Sequence, residues 1–218
     1  MDGEKKVTYL PLFLNLTDQA CLVVGGGKVA LRKVEQLLQA TARVTVVAPQ
    51  IDRNLRKKIN SERCVWEQRP YQSPEASKYR LVIATTDDAA TNKQIYQDCQ
   101  AHGILVNVVD QPQLCTVIFP STVRRGIMTM AISSGGNAPF LTKALRIELE
   151  NFIDEIELLD KPQLLLKFRD FVKSQTDDFE IKRKLYQCLL SCDKDLLSQW
   201  SEDDPPYDLW MNWLRDAK

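Results

Sequence analysis

The chain has 218 residues, 44% of them hydrophobic and 27% charged, and its 29 basic side chains are balanced by 29 acidic ones. That length holds one full α/β domain with a smaller attachment. A net charge of zero speaks against a general nucleic-acid binder, which carries a basic excess, and against a protein held to a membrane surface by anionic lipid.

No stretch approaches the roughly 18 apolar residues of a membrane-spanning helix. The first residues, MDGEKKVTYLPLF, mix acids with lysines and lack a long apolar centre, so no signal peptide is expected. The six cysteines, Cys21, Cys64, Cys99, Cys115, Cys188 and Cys192, form no CxxC pair, and His102 is the one histidine. A Cys/His metal site is not expected. Scattered cysteines inside apolar runs read as reduced thiols of a cytoplasmic protein.

In chain order, Ala20–Val24 (ACLVV) reads as a buried parallel strand that three glycines end. A helix is expected from Lys28, with Ala30, Val34, Leu37, Leu38 and Thr41 on one face. Arg43–Ala48 is a second strand stopped by Pro49, Asp52–Ile59 a weak charged helix, and Cys64–Glu67 a third strand. Leu81–Thr85 is a strand, and Asp88 can cap a helix that runs to about Ala101, with Gly103 beyond its end. Leu105–Val109 is a further strand. Strands alternating with helices imply βαβ units and a doubly wound parallel sheet.

After Asp110 the pattern changes. Thr116–Phe119 and Met128–Ser133 are two β-rich runs separated by the polar, basic segment Ser121–Gly126, a spacing that suits an antiparallel pair. Gly135-Gly136-Asn137 leads into a helix with Pro139 in its first turn and with Phe140, Leu141, Ala144, Leu145 and Leu149 on a broad apolar face. From Pro162 short helices follow, with Leu164, Leu165, Phe168, Phe171 and Val172 at helical spacing, then Ile181, Leu185, Leu189 and Leu190. Pro205-Pro206 breaks the chain before a last segment with Trp210 and Trp213.

Gly25-Gly26-Gly27-Lys28-Val29-Ala30 fits G-x-G-x-x-A, follows a strand and opens a helix, the context in which this pattern binds a dinucleotide. Gly25 permits the tight turn, Gly27 lets backbone approach a pyrophosphate, and Ala30 lets the helix pack closely on the sheet. The backbone of Gly26, Lys28 and Val29 offers N–H groups at the positive end of the helix dipole. The acid that holds ribose hydroxyls in many NAD sites is missing: the second strand leads into Pro49 and Gln50, which are placed beside the ribose instead. NAD is the expected cofactor, and Arg53 keeps NADP open. Thr86 and Asp87 follow a strand at the sheet's carboxyl edge, where they either meet the cofactor or cap a helix.

The segments YLPLFL from Tyr9, VVGGGKVALRKVEQLL, ATTDDAATN, NVVDQPQLCTVIFPS and ISSGGNAPFLTKALRIELE occur in that order. Over Tyr9 to Leu149 the chain resembles precorrin-2 dehydrogenase, the N-terminal module of siroheme synthases. The resemblance implies oxidation of precorrin-2 to sirohydrochlorin with NAD as hydride acceptor, in a homodimer. It also implies a Rossmann-type domain (1–112), a β/α dimerisation and substrate segment (113–150) and a helical C-terminal domain (151–218). Asp110 matches the aspartate that such enzymes use in catalysis, and its place at the end of a strand suits a base. Ser134 matches a serine lining the tetrapyrrole site, and Asn107 and Thr116 are further substrate-side candidates. Lys28 stands where some relatives carry an acid, and the tail from Asn151 finds no match.

Two other readings compete. Some relatives also insert iron into sirohydrochlorin, with Asp110 as the shared base. A protein that senses the NAD/NADH ratio for a DNA-bound partner would need a basic recognition helix, whereas the tail carries Asp177, Asp178, Glu180, Asp203 and Asp204.

Overall fold

The computed structural model describes residues 8–59 and 63–218, and its contacts divide the chain into two compact units that meet in sequence at Phe119 and Pro120. The expectation for the N-terminal segment falls partly on residues 1–7, outside those described. No helix among the described residues is long and apolar enough to cross a membrane.

The first unit is a five-stranded parallel sheet of β1 (Ala20–Val24), β2 (Arg43–Val47), β3 (Cys64–Glu67), β4 (Leu81–Ala84) and β5 (Leu105–Val108), in the order β3-β2-β1-β4-β5. The strand order reverses between β1 and β4, the switch point of a Rossmann-type sheet. Strand alternation sorts the core onto two faces. Cys21, Val23, Val44, Val46 and Ile83 meet Ala30, Val34 and Leu37 of α1 (Lys28–Gln39) on one. Leu22, Val24, Val82, Ala84 and Val106 meet Ile95 and Cys99 of α3 (Ala89–His102) on the other. Both faces are covered, which is why β1 and β4 read as unbroken apolar runs. The three cysteines buried here stay thiols, burial raising Cys21 and Cys64 to about 11 and Cys99 to about 12.

Local signals set the boundaries of α3. The Asp88 carboxylate accepts from the backbone N–H of Ala90 and Thr91 at 3.2 and 3.1 Å, and Gly103 ends the helix at φ 65°. Buried Asp98 accepts from Tyr71 Oη at 2.6 Å and Ser73 Oγ at 2.9 Å, pinning the β3–β4 connection onto α3. The charged helix expected over Asp52–Ile59 shrinks to α2, the four residues Arg53–Arg56: Asp52 is its cap, accepting from Asn54 N at 2.7 Å, and beyond Arg56 the chain tightens into a turn, with Lys57 N and Lys58 N donating to Asn54 O and Leu55 O.

The second unit corrects one expectation. Thr116–Phe119 is no strand. The antiparallel pair is β6 (Ser121–Arg125) with β7 (Met128–Ile132), so the supposed connector is itself a strand. Arg125 pairs with Met128 across a two-residue turn with Gly126 at φ 51°. A hairpin with one covered face needs few apolar residues. Val123 alone is buried in β6, while Arg125 reaches out to Asp154 and Asp160, so composition disguised the strand as a loop. The apolar side chains of 116–119 serve the first unit instead: Val117 and Phe119 pack on its core, and Thr116 N and Val117 N both donate to Val106 O.

Helix α4 (Pro139–Asp154) begins as expected and packs Ile153 with Val123 and Leu159, yet Phe140 is 77%, Phe152 61% and Leu141 48% exposed. The tail folds as α5 (Pro162–Gln175), α6 (Phe179–Leu190), α7 (Lys194–Ser198) and α8 (Tyr207–Ala217) around Leu164, Phe168, Leu185 and Trp210. Phe168 and Trp210 meet edge to face with centroids 4.9 Å apart.

The hairpin turn offers a test of the second unit. A Cβ on Gly126 would lie 2.0 Å from the Leu159 carbonyl oxygen, in a left-handed backbone. Gly126→Ala is expected to lower unfolding stability by about 2 kcal/mol or more, from strain and overlap together, read as a shift of the urea midpoint. A midpoint equal to the parent's would mean that the turn and the Glu157–Asp160 segment beneath it are not packed as described.

Candidate functional site at the carboxyl edge of the sheet

The loops that leave β1, β2, β4 and β5 converge on one edge of the sheet. Gly25 turns sharply at φ 118°, its N–H bonded to Val47 O at 2.9 Å. A Cβ there would stand 2.3 Å from Thr85 Oγ1 and 2.9 Å from Thr85 O. One on Gly26 would stand 2.0 Å from Gln50 O. A Cβ on Gly27, in contrast, meets nothing within 4 Å. The first two glycines are therefore required by the protein's own backbone, and the third faces open space.

That space lies at the N-terminus of α1. Gly27 is the cap residue, with no side-chain cap and no acid in the first turn, so the leading N–H groups have no side-chain partner among the described residues. A twelve-residue helix presents donors and the positive end of its dipole there, and Lys28 and Val29 flank the opening, Lys28 exposed. The residues fit a pyrophosphate: a cradle that a Cβ would fill, uncommitted donors and no competing anion. Pro49 and Gln50 are exposed next to this turn.

Beyond β4, Thr86 Oγ1 donates to Asn92 Oδ1 at 2.8 Å, and Asn92 Nδ2 donates back to Thr86 O at 2.9 Å. The Thr86 hydroxyl thus fixes the β4–α3 turn, while the exposed Asp87 carboxylate accepts no hydrogen bond recorded among the described residues. Beyond β5, Gln111 N donates to Val108 O at 3.2 Å, closing a turn in which exposed Asp110 sits at φ 59°. Asp is among the few side chains tolerated in that region, and non-glycine residues held there gather at functional sites.

Asn107 and Thr116 lie close to Asp110 in sequence, and the Asn107 amide nitrogen and the Thr116 hydroxyl are engaged. Asn107 Nδ2 donates to Val117 O at 3.0 Å, and Thr116 Oγ1 accepts from Val106 N at 2.8 Å. With Cys115, whose sulfur lies 3.2 Å from Val108 N and O, they fasten the loop after Asp110 to β5. Ser134 belongs to the second unit, where its Oγ accepts from Ala138 N at 2.9 Å just before α4. The edge of the first unit therefore gathers Gly25–Val29, Pro49, Gln50, Thr86, Asp87 and Asp110.

Two residues escaped the sequence reading. Thr85 lies against Gly25 and donates to Val24 O at 3.1 Å. Its signal was present: it directly follows the strand that pairs with β1. Lys33 of α1 holds its ammonium 3.7 Å from the Phe119 ring centre, and burial, with Arg32 beside it, brings the amine down to about 8. Only the path of residues 115–119 reveals that contact. No group of three or more His, Cys, Asp or Glu side chains among the described residues is placed to hold a metal ion.

Against known proteins, residues 12–121 match the model of a family described as "Putative NAD(P)-binding". The chain is similar to the siroheme synthase of Nitrosococcus oceani, 39% identical over 182 residues, which are 84% of this chain and 39% of that protein. The siroheme synthase of Pseudomonas entomophila is 43% identical over 181 residues, 82% of this chain and 38% of that protein. The chain thus spans well under half the length of these curated relatives. Among solved structures, SirC, precorrin-2 dehydrogenase, shares the fold with a TM-score of 0.71 at 23% identity, covering 96% of this chain and 98% of that one.

The contrast between neighbouring glycines makes the site testable. Gly27→Leu projects into open space and is expected to keep the parent's melting curve while abolishing binding in an NADH fluorescence titration. Gly26→Ala collides with the Gln50 carbonyl and is expected to destabilise the fold by about 2 kcal/mol or more. A Gly27→Leu protein that binds NADH like the parent would remove the pyrophosphate from this cradle.

Proposed function

We propose that this chain, which belongs to that NAD(P)-binding family, oxidises precorrin-2 to sirohydrochlorin with NAD as hydride acceptor. The observation that carries the reading is the pairing, on one sheet edge, of the uncapped α1 N-terminus at Gly27 with exposed Asp110 in a left-handed turn. The siroheme synthase relatives supply the substrate class.

In the reaction precorrin-2 loses a hydride and a proton. Bound at the edge, the nicotinamide supplies the two-electron acceptor. The chain's part is to fix geometry and take the proton. The glycine turn and the first turn of α1 anchor the pyrophosphate. Pro49 and Gln50 bound the adenosine ribose, and Thr86 and Asp87 border the path along β4 towards Asp110. The Asp110 carboxylate accepts the proton from the carbon framework of the substrate. Asn107, Cys115 and Thr116 hold the loop behind it, so Asn107 and Thr116 act on the substrate through that loop. Ser134, on the loop before α4, is a further proposed contact of the tetrapyrrole.

The assembly is a homodimer in the cytoplasm. The apolar stripe of α4, with Phe140, Leu141, Leu145 and Phe152 exposed beside a two-stranded hairpin that is marginal alone, is covered by a second copy. Six free cysteines suit a reducing compartment. Light scattering at micromolar protein is expected to give twice the 25.0 kDa of one chain, and Leu145→Asp is expected to halve it. A monomeric parent would refute the dimer.

The backbone at Asp110 allows the base and turn roles to be separated. Asp110→Gly relieves the left-handed strain and is expected to gain up to about 1 kcal/mol of stability. The same change removes the carboxylate and is expected to lower turnover of precorrin-2 by roughly 10²–10⁴-fold, the usual worth of a general base. Asp110→Asn, which tolerates the turn and cannot take the proton, is expected to lose nearly as much. Turnover within a few-fold of the parent in both variants would leave Asp110 a turn residue only.

A further inference from the structure

The adenosine end of the cradle lacks the group that makes such sites selective. In a sheet of this order the ribose lies over the carboxyl end of β2, where an acid both holds the diol and repels a 2′-phosphate. Here the chain from Val47 to Ile51 carries no acid. That stretch is the wall of the cradle: Asp52 N donates to Gly26 O at 2.7 Å, and Gln50 and Ile51 backbone atoms press on Gly26. The first acid in the loop, Asp52, is committed elsewhere, its carboxylate capping α2 through Asn54 N at 2.7 Å.

Cations flank the same wall. Lys28 is the first residue of α1 and Arg53 the first of α2, next to Asp52, and both are exposed. Neither takes part in a hydrogen bond or ion pair recorded among the described residues. The other guanidinium of α2, that of Arg56, is instead drawn over the Trp66 ring at 5.5 Å. A 2′-phosphate brought to this wall would meet no acid in the stretch 47–51 and two uncommitted cations beside it, one of them an arginine able to take it in a bidentate grip.

We infer that the site accepts NADP as well as NAD, with Arg53 reading the 2′-phosphate and Lys28 assisting from the start of α1. The inference rests on the dinucleotide site proposed above. Hydride and proton bookkeeping are the same for either cofactor, so the difference lies in binding alone.

The test is calorimetric titration of the intact chain with NADH and NADPH at low and near-physiological salt, without substrate. The two dissociation constants are expected to agree within about tenfold, that for NADPH rising more steeply with salt, as screening of an exposed charge contact requires. Arg53→Ala, at an exposed position, is expected to weaken NADPH by roughly five- to thirtyfold, the worth of one charge-assisted contact, and NADH by less than about twofold. Arg53→Glu should widen that gap. If the parent binds NADH and rejects NADPH by more than about a hundredfold, or if Arg53→Ala weakens both cofactors equally, the inference fails and the dinucleotide site stands. If neither cofactor binds, both fall.

Discussion

The architecture of the edge depends on how closely three backbones approach one another at the glycine turn. β1 ends with β2 on one side and β4 on the other, and the loops beyond all three must pass through the same few ångströms. Gly25 yields to Thr85 of the β4 loop, and Gly26 to Gln50 and Ile51 of the β2 loop. Any side chain at either glycine would push those loops apart and open the sheet's carboxyl end. Because the approach is backbone to backbone, it fixes the start of α1 in a way that rotamer changes cannot relax. The open space at Gly27 follows from that rigidity. The third glycine touches nothing of the protein because the first two have locked the turn so that its free side points outward.

This division of labour explains why the edge was largely legible in the sequence. Glycines at the first two positions, a short buried strand before them and a capped helix after the next strand are local facts, each set by neighbours a few residues away. The Asp88 cap and the Gly103 terminus fell where the residue types placed them. What stayed hidden was non-local or disguised. Ser121–Arg125 looked like a connector because a hairpin covered on one face needs only Val123 inside, and its Arg125 answers to Asp154 and Asp160, about thirty residues further on. Thr116–Phe119 looked like a strand because its apolar side chains do enter a core, though without a ladder. The Lys33–Phe119 contact has no sequence signature, since nothing in α1 announces which loop will return across it.

The second unit follows another logic. Its tail has its own centre in Phe168, Trp210 and their aromatic neighbours, and its connections are tied by lysines reaching backbone carbonyls, as Lys161 does to Leu197 O at 2.6 Å. A region with such a centre does not need the first unit for its core. Five large apolar side chains of α4 (Phe140, Leu141, Leu145, Ile147 and Phe152) stay exposed next to Ile127 and Met128 of the hairpin, the elements that the dimer proposal covers, while the exposed Leu166, Phe179, Leu190, Tyr207 and Met211 are spread over the tail helices. Burial thus separates two uses of hydrophobic residues in one unit: most of those on α5–α8 build the core of the tail, and most of those on α4 are left for another surface.

The loop after β5 shows how far a residue's position differs from its role. Asn107, Cys115 and Thr116 crowd around the start of the Asp110 turn and would be taken for substrate ligands by proximity. Asn107 Nδ2, the Cys115 sulfur and the Thr116 hydroxyl are spent on Val117, Val108 and Val106, so removing one of these residues frees the loop. Asp110 has the opposite bookkeeping. Its backbone is held in an uncommon conformation by bonds on either side, Val109 N to Ala84 O and Gln111 N to Val108 O, while its carboxylate is left exposed. A turn that needed only to reverse the chain would place glycine or asparagine there without penalty. An ionisable acid there, with neighbouring polar groups fastening its loop, suits the base role proposed for it. Under the proposed base role the fasteners would influence chemistry through the distance from Asp110 to the reacting carbon, so their loss and the loss of the carboxylate would be different events.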